Sequence, residues 1–260
     1  MKEIGRILFS LYLWTVVSLM TVFVSSLIVL SWPLTFLDHD RRLAHQLGIF
    51  WASSLMKVNP FWRVKRAGLR QIRKNQGYVV VANHASLADI ICLFTLNHQF
   101  KWLAKKSLFS VPFLGWSMAV MGYIPLERGR HGSIKKSYRE ALEWLQKNIS
   151  ILIFPEGTRS RSGQLSHFKS GAFRLALESQ KPLLPVVLAG TQKVITKGRA
   201  GFGRPGVAYL SVLPPIETKG LSLNDEATLK KKAETLMREE LEKRNRMIAR
   251  VKLKGSGFGV

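Results

Sequence analysis

The chain has 260 residues, enough for one α/β domain with a sizeable core and an attached element. Forty Lys and Arg against sixteen Asp and Glu give a formal charge of +24, so its partners are anionic: nucleic acid, a phospholipid surface, or phosphorylated and acidic substrates. The single cysteine, Cys92, excludes an internal disulfide and fits a reducing compartment as a buried, inert thiol.

Residues 7–32, ILFSLYLWTVVSLMTVFVSSLIVLSW, carry no charge and exceed the roughly 20 residues needed to cross a hydrocarbon core. The apolar run is longer than that of a cleaved signal peptide and ends without a small-residue cleavage site, which predicts an uncleaved membrane anchor. After Asp38 to Arg42 comes LAHQLGIFWASSLM, too short to span and read as an interfacial or packed helix. The domain division is therefore 1–62, N-terminal membrane-anchoring helices, and 63–260, an α/β domain ending in a basic amphipathic helix. If the first helix spans, the basic remainder stays on the cytoplasmic side; if both helices lie in one leaflet, the domain still faces the cytoplasm.

From Arg63 onward short apolar runs alternate with helical patterns, which predicts a mixed sheet flanked by helices. The candidate strands are YVVVA (78–82), FKWLA (100–104), YIPLE (123–127), ILIFP (151–155), LLPVVLA (183–189) and VAYLSVL (207–213). Ser133 can cap a helix through Lys147, with Ile134, Tyr138, Ala141, Leu142 and Leu145 as its core stripe. Phe168, Ala172, Leu175 and Ala176 form a second stripe, and Leu229, Ala233, Leu236, Met237 and Leu241 a third after a cap at Asn224. The third helix is studded with Lys and Arg and suits either solvent or anionic lipid, and the tail from Lys252 reads as frayed.

Two apparent motifs carry no chemistry. Gly201, Gly203 and Gly206 in GFGRPG have dinucleotide-turn spacing, but Pro205 interrupts the turn and a strand, not a helix, follows. The six histidines show no metal-ligand spacing, so no metal is called for.

NHASLAD, residues 83–89, is different. Ser86 and Asp89 have capping-box spacing and could simply start a helix; a turn between His84 and Asp89 could equally bring the carboxylate against the imidazole. Asp89 would then fix the tautomer, leaving the other ring nitrogen to take a proton from an alcohol. In FPEGTRSRSG, residues 154–163, Gly157 turns the chain and Arg159 and Arg161 follow, which suits a phosphate through backbone amides and guanidinium contacts; Arg128 and Arg130 in PLERGRHG add charge.

NHASLAD, GYIPLER, FPEGTRS and LLPVVLAG, with AKKSLFSVPFLG and FKSGAF beside them, occur in an order that resembles the 1-acylglycerol-3-phosphate acyltransferases of the glycerolipid acyltransferase family, from about Lys65 to Gly198. The resemblance implies that His84 is a general base, that Asp89 orients it, and that Arg128, Glu156, Gly157, Thr158 and Arg159, with Lys105, bind the glycerol phosphate. Leu87 stands where an aromatic is common, Ser107 where an acid is common, and His167 and Ser170 where Pro and Lys often stand. The implied reaction moves a fatty acyl group from acyl-CoA or acyl carrier protein, as co-substrate, to the hydroxyl of lysophosphatidic acid, making phosphatidic acid in phospholipid biosynthesis. No further cofactor, metal or nucleic acid is expected, and the partners are membrane phospholipid, lysophosphatidic acid and the acyl donor. Two alternatives stay open: another lysolipid acceptor, such as a lyso-ornithine lipid or a lysophospholipid, or a non-catalytic basic binding module held at the membrane.

Overall fold

A computed structural model describes residues 2–59, 62–160, 162–194 and 206–255; Arg161, Gly201, Gly203 and the last five residues of the tail lie outside them. Seven strands form one sheet: β1 (Trp62–Ala67), β2 (Val79–Ala82), β3 (Phe100–Lys105), β4 (Ile124–Leu126), β5 (Ser150–Ile153), β6 (Leu183–Ala189) and β7 (Gly206–Val212). Their order is β1-β7-β6-β2-β5-β3-β4, and β6 with β7 is the antiparallel pair; every other neighbouring pair is parallel. The sheet is mixed, as expected.

The central strands β2 and β6 are buried throughout, the continuous apolar runs that a parallel sheet covered on both faces requires. β1, WRVKRA, is the strand that the sequence reading missed. It lies at an edge, is exposed at alternate positions and carries Arg63, Lys65 and Arg66, so it presents no apolar run. β4 takes the opposite edge, where Pro125 can sit without removing a ladder bond, and its carbonyl accepts the Ser137 hydroxyl proton at 2.6 Å.

Strand alternation sends two sets of side chains to opposite faces. Val80, Ala82, Phe100, Trp102, Leu152 and Val186 pack with α1 (Lys2–Leu30), α2 (Arg42–Val58), α3 (Ala88–Phe94) and α4 (Leu114–Val120). Val79, Val81, Ile151 and Val187 pack on the other side with α5 (His131–Gln146), α6 (Gly171–Ser179) and α7 (Glu226–Gly255).

Two helix starts and one helix end differ from expectation. α5 begins at His131, and the Ser133 hydroxyl accepts the Glu127 amide proton instead of capping the helix; Ile134 turns outward while Ala141 and Leu145 face the core. Before α7, the cap is Ser222, whose side chain forms a reciprocal capping box with Asp225; Asn224 lies inside the short 3-10 turn that follows. α7 continues through Gly255, past the expected start of fraying at Lys252.

α1 is long and apolar enough over Ile7–Leu30 to cross a membrane by length and composition. It does not stand apart from the sheet. Leu13, Val24 and Ile28 are buried, the Ser25 and Ser117 hydroxyls meet at 3.2 Å, and the Trp51 indole N–H donates to Thr21 at 3.1 Å. The opposite side of the same helix leaves Leu19 66% and Phe23 57% exposed. The connection to α2 is fastened by Lys101, fully buried at the start of β3, whose ammonium donates to the carbonyls of Asp40 at 2.9 Å and Met121 at 2.8 Å and lies over the Trp144 ring.

If α1 is part of the folded core, Ile28→Ala costs about 2 to 4 kcal/mol in denaturant unfolding of the detergent-solubilised protein, whereas Leu30→Ala, on an exposed side chain, stays within about 0.5 kcal/mol.

Candidate functional site

Because β2, β5, β3 and β4 run parallel as neighbours, the loops that leave them emerge along one edge of the sheet. NHASLAD, GYIPLER and FPEGTRS lie on these loops or strand ends, while LLPVVLAG forms β6 and the glycine that follows it.

β2 ends at Ala82, and the Asn83 amide then replaces a ladder rung, donating to the Leu188 carbonyl and accepting from the Leu188 amide, both at 2.8 Å. The chain turns at His84, and α3 starts at Ala88, two residues later than Ser86. In that turn the buried Asp89 carboxylate receives three donors on one oxygen: the Ala85 amide at 2.7 Å, the Ser86 amide at 2.8 Å and Nδ1 of His84 at 2.8 Å. The Ser86 hydroxyl accepts the Ala88 amide proton at 3.2 Å. Helix initiation and the imidazole contact are thus one device. Accepting the Nδ1 proton sets the tautomer that leaves the Nε2 lone pair at the side of the ring turned away from Asp89.

The loop after β5 closes over this turn. Phe154 stacks on the imidazole with ring centres 3.9 Å apart and planes inclined by 11°. Oε1 of Glu156 accepts the His84 amide proton at 2.8 Å, Oε2 accepts that of Ser166 at 2.9 Å, and the Ser160 amide donates to the His84 carbonyl at 2.7 Å. Burial raises the Glu156 carboxyl above its ordinary range, against the pull of these two amides. Gly157 has φ +74°, the left-handed region that favours glycine, and donates its amide to the Phe154 carbonyl at 3.0 Å. Thr158 is exposed and Arg159 half-buried on the far side of this bend. The amides of His84, Ala85, Ser86, Gly157 and Ser160 are therefore already engaged.

Further along the edge, Lys105 pairs in register with Leu126, so Lys105 and Arg128 share an open cavity of about 390 Å³ with Ser107 and Ser110. Glu127 sits there too, and it engages Lys106 at 2.9 Å and Arg130 at 3.5 Å. These contacts hold Glu127 below the usual carboxylate range, first through the Lys106 hydrogen bond. Arg130 is thus partly neutralised, while Lys105 and Arg128 have no carboxylate partner among the described residues. β2 and β4 lie three strand spacings apart, roughly 15 Å, whereas the Arg159 loop leaves β5, next to β2.

Lys169, in FKSGAF, was quoted in the sequence but not singled out. Its side chain crosses beside Gly157: a β-carbon built there would lie 3.3 Å from the ammonium nitrogen. The signal available for it was position alone, a lysine just before the helix α6. Cys92 is buried and its thiol is pushed up, first by burial and then by Asp89, as expected of an inert thiol.

An imidazole held by a buried carboxylate, beside a loop of arginine and glycine at the end of parallel strands, is found within the stretch that matches a family model: residues 63–189 match the family described as Acyltransferase. The chain is 32% identical to the chloroplastic 1-acyl-sn-glycerol-3-phosphate acyltransferase LPAT1 of Arabidopsis thaliana, over 79% of this chain and 58% of the relative. It is 37% identical to the 1-acyl-sn-glycerol-3-phosphate acyltransferase of Saccharomyces cerevisiae, over 65% of this chain and 56% of the relative. The chain thus spans a little under three-fifths of the length of these curated relatives. The crystal structure of the 1-acyl-sn-glycerophosphate (LPA) acyltransferase PlsC from Thermotoga maritima superposes with a TM-score of 0.79 at 29% identity, covering 94% of this chain and 98% of that one.

Removing the Asp89 carboxylate strands two buried amides as well as the imidazole. Asp89→Ala is expected to destabilise the protein by about 2 to 4 kcal/mol in urea unfolding monitored by tryptophan fluorescence.

Proposed function

We propose that this protein is a membrane-associated 1-acylglycerol-3-phosphate O-acyltransferase, moving a fatty acyl group from a thioester to lysophosphatidic acid to give phosphatidic acid. The observation that carries the reading is the Asp89 to His84 Nδ1 contact at 2.8 Å, on an imidazole whose side chain keeps 14% exposure. The relatives' description as 1-acyl-sn-glycerol-3-phosphate acyltransferases supports the acceptor.

In this reading Nε2 of His84 removes the proton from the acceptor hydroxyl as that oxygen attacks the thioester carbonyl. A tetrahedral oxyanion forms; its collapse expels the thiolate, which takes the proton back from the imidazolium. Asp89 stabilises the cation without accepting the proton, and the Phe154 ring keeps the imidazole plane fixed. A thioester is already activated, so the alcohol attacks directly and no covalent enzyme intermediate is needed. Arg159 and Gly157, with Thr158, form the nearer part of a phosphate floor, and Lys105 and Arg128 form its outer part. Either acyl-CoA or acyl carrier protein suits a basic surface, and the donor is the protein's co-substrate; no other cofactor or metal enters the scheme.

The docked α1 suits a helix lying in one leaflet. Its inner side is occupied by α2 and α4, while Leu19, Phe23 and Leu30 outside, with Trp116 on α4, offer apolar surface to lipid. The acceptor's acyl chain can then remain in that leaflet while its head group reaches the sheet edge, with the domain on the cytoplasmic side.

Purified His84→Ala should stay folded and lose acyl transfer by at least about 10²-fold; unchanged transfer sinks the assignment of the base. Arg159→Ala and Arg128→Ala should raise KM for lysophosphatidic acid by about 10- to 100-fold with little change toward the thioester. Running the same assay with lyso-ornithine lipid and lysophospholipids as acceptors decides the substrate: a higher kcat/KM with one of them replaces lysophosphatidic acid.

A further inference from the structure

The structure assigns Glu156 to holding His84 in place, as a positioning residue, and not to binding the acceptor's phosphate. This deepens the proposed function and rests on His84 being the base.

The first argument is occupancy. Glu156 is 5% exposed and directs both oxygens inward, one to the His84 amide and the other to the Ser166 amide. The second is chemical type. A carboxylate offers acceptors only, and a phosphate is recognised by donors and positive charge; Arg159 and Lys169 can supply these, but Glu156 would repel the ligand.

The third argument is mechanical. His84 is gripped at its amide by Glu156, at its carbonyl by the Ser160 amide and on its ring face by Phe154, all from the loop after β5. Asp89 fixes which nitrogen bears the proton; these three contacts fix where the ring stands. Glu156 also ties His84 to Ser166, ten residues further along its own loop, so it closes the loop and seats the imidazole with the same group. Its neighbour Gly157 then turns the chain outward, which separates the seating function from the phosphate floor by a single residue.

The test compares Glu156→Gln and Glu156→Asp with wild type in detergent micelles. Gln keeps the volume but sets an NH₂ group against one of the two amide donors; Asp keeps the charge but is one methylene too short to reach both. Two quantities are read: kcat and KM for lysophosphatidic acid at saturating acyl thioester, and hydrogen exchange of the amides at His84 and Ser166. A misplaced base predicts that kcat falls about 10²-fold in both variants while the acceptor KM stays within about threefold, with faster exchange at both amides. A shifted acceptor KM with kcat preserved, or unchanged exchange, overturns the proposal. Should neither variant fold, wild type alone decides: a substrate-free His84 amide that exchanges rapidly overturns it, and a protected one supports it. Failure of the base reading looks different, since His84→Ala would then retain transfer whatever Glu156 does to exchange.

Discussion

A carboxylate taken out of water is costly unless hydrogen-bond donors replace its hydration, and the end of this sheet that bears His84 is organised around two such groups. Asp89 and Glu156 are both buried; backbone amides of the turn after β2 and the loop after β5 donate to Oδ2 of Asp89 and to both oxygens of Glu156, while Oδ1 of Asp89 has no hydrogen-bond partner among the described residues. The turn after β2 donates the His84 amide to Glu156, while the donors to Asp89 all come from that same turn. Neither carboxylate can be stable unless the turn at His84 takes this shape, and that shape leaves the imidazole no freedom in position or tautomer.

The sheet distributes the remaining tasks by face. Apolar helices α1 to α4 cover one side and α5 to α7 the other, so the edge bearing His84 lies between a lipid-suited surface and a cationic, water-suited one. A reaction between a lipid acceptor and a soluble donor fits that division. The cations along the edge are not equivalent: Glu127 engages Lys106 and Arg130, leaving Lys105 and Arg128 beside the shared cavity.

Much of this was legible before any coordinates. Buried strands announce themselves by unbroken apolar runs, which is why β2, β3, β4, β5, β6 and β7 were found within a residue or two, while β1, charged and at an edge, was not. The His84 and Asp89 pair could be seen because Asp89 has capping-box spacing to Ser86, and the turn that such a start requires could bring the carboxylate against His84. Glu156 could be placed in the site but not assigned its contacts, because its partners are backbone amides, and backbone amides have no letter in a sequence. The same limit hid the true caps at α5 and α7: Ser133 and Asn224 are suitable residue types, but the hydroxyl of one was claimed by Glu127 and the other fell inside a turn started by Ser222. Lys169 reaches Gly157 only through a fold that brings the two together.

The pairing of β1 with β7 joins Trp62 to Gly206, positions separated by most of the domain. Contacts so distant along the chain form late, because the loop-closure entropy must be met before the ladder returns anything. During synthesis the apolar face of α1 is therefore made long before the sheet edge beside it can close. For that interval a bilayer can cover the exposed apolar side of α1, so that contact of this helix with lipid can precede completion of the fold.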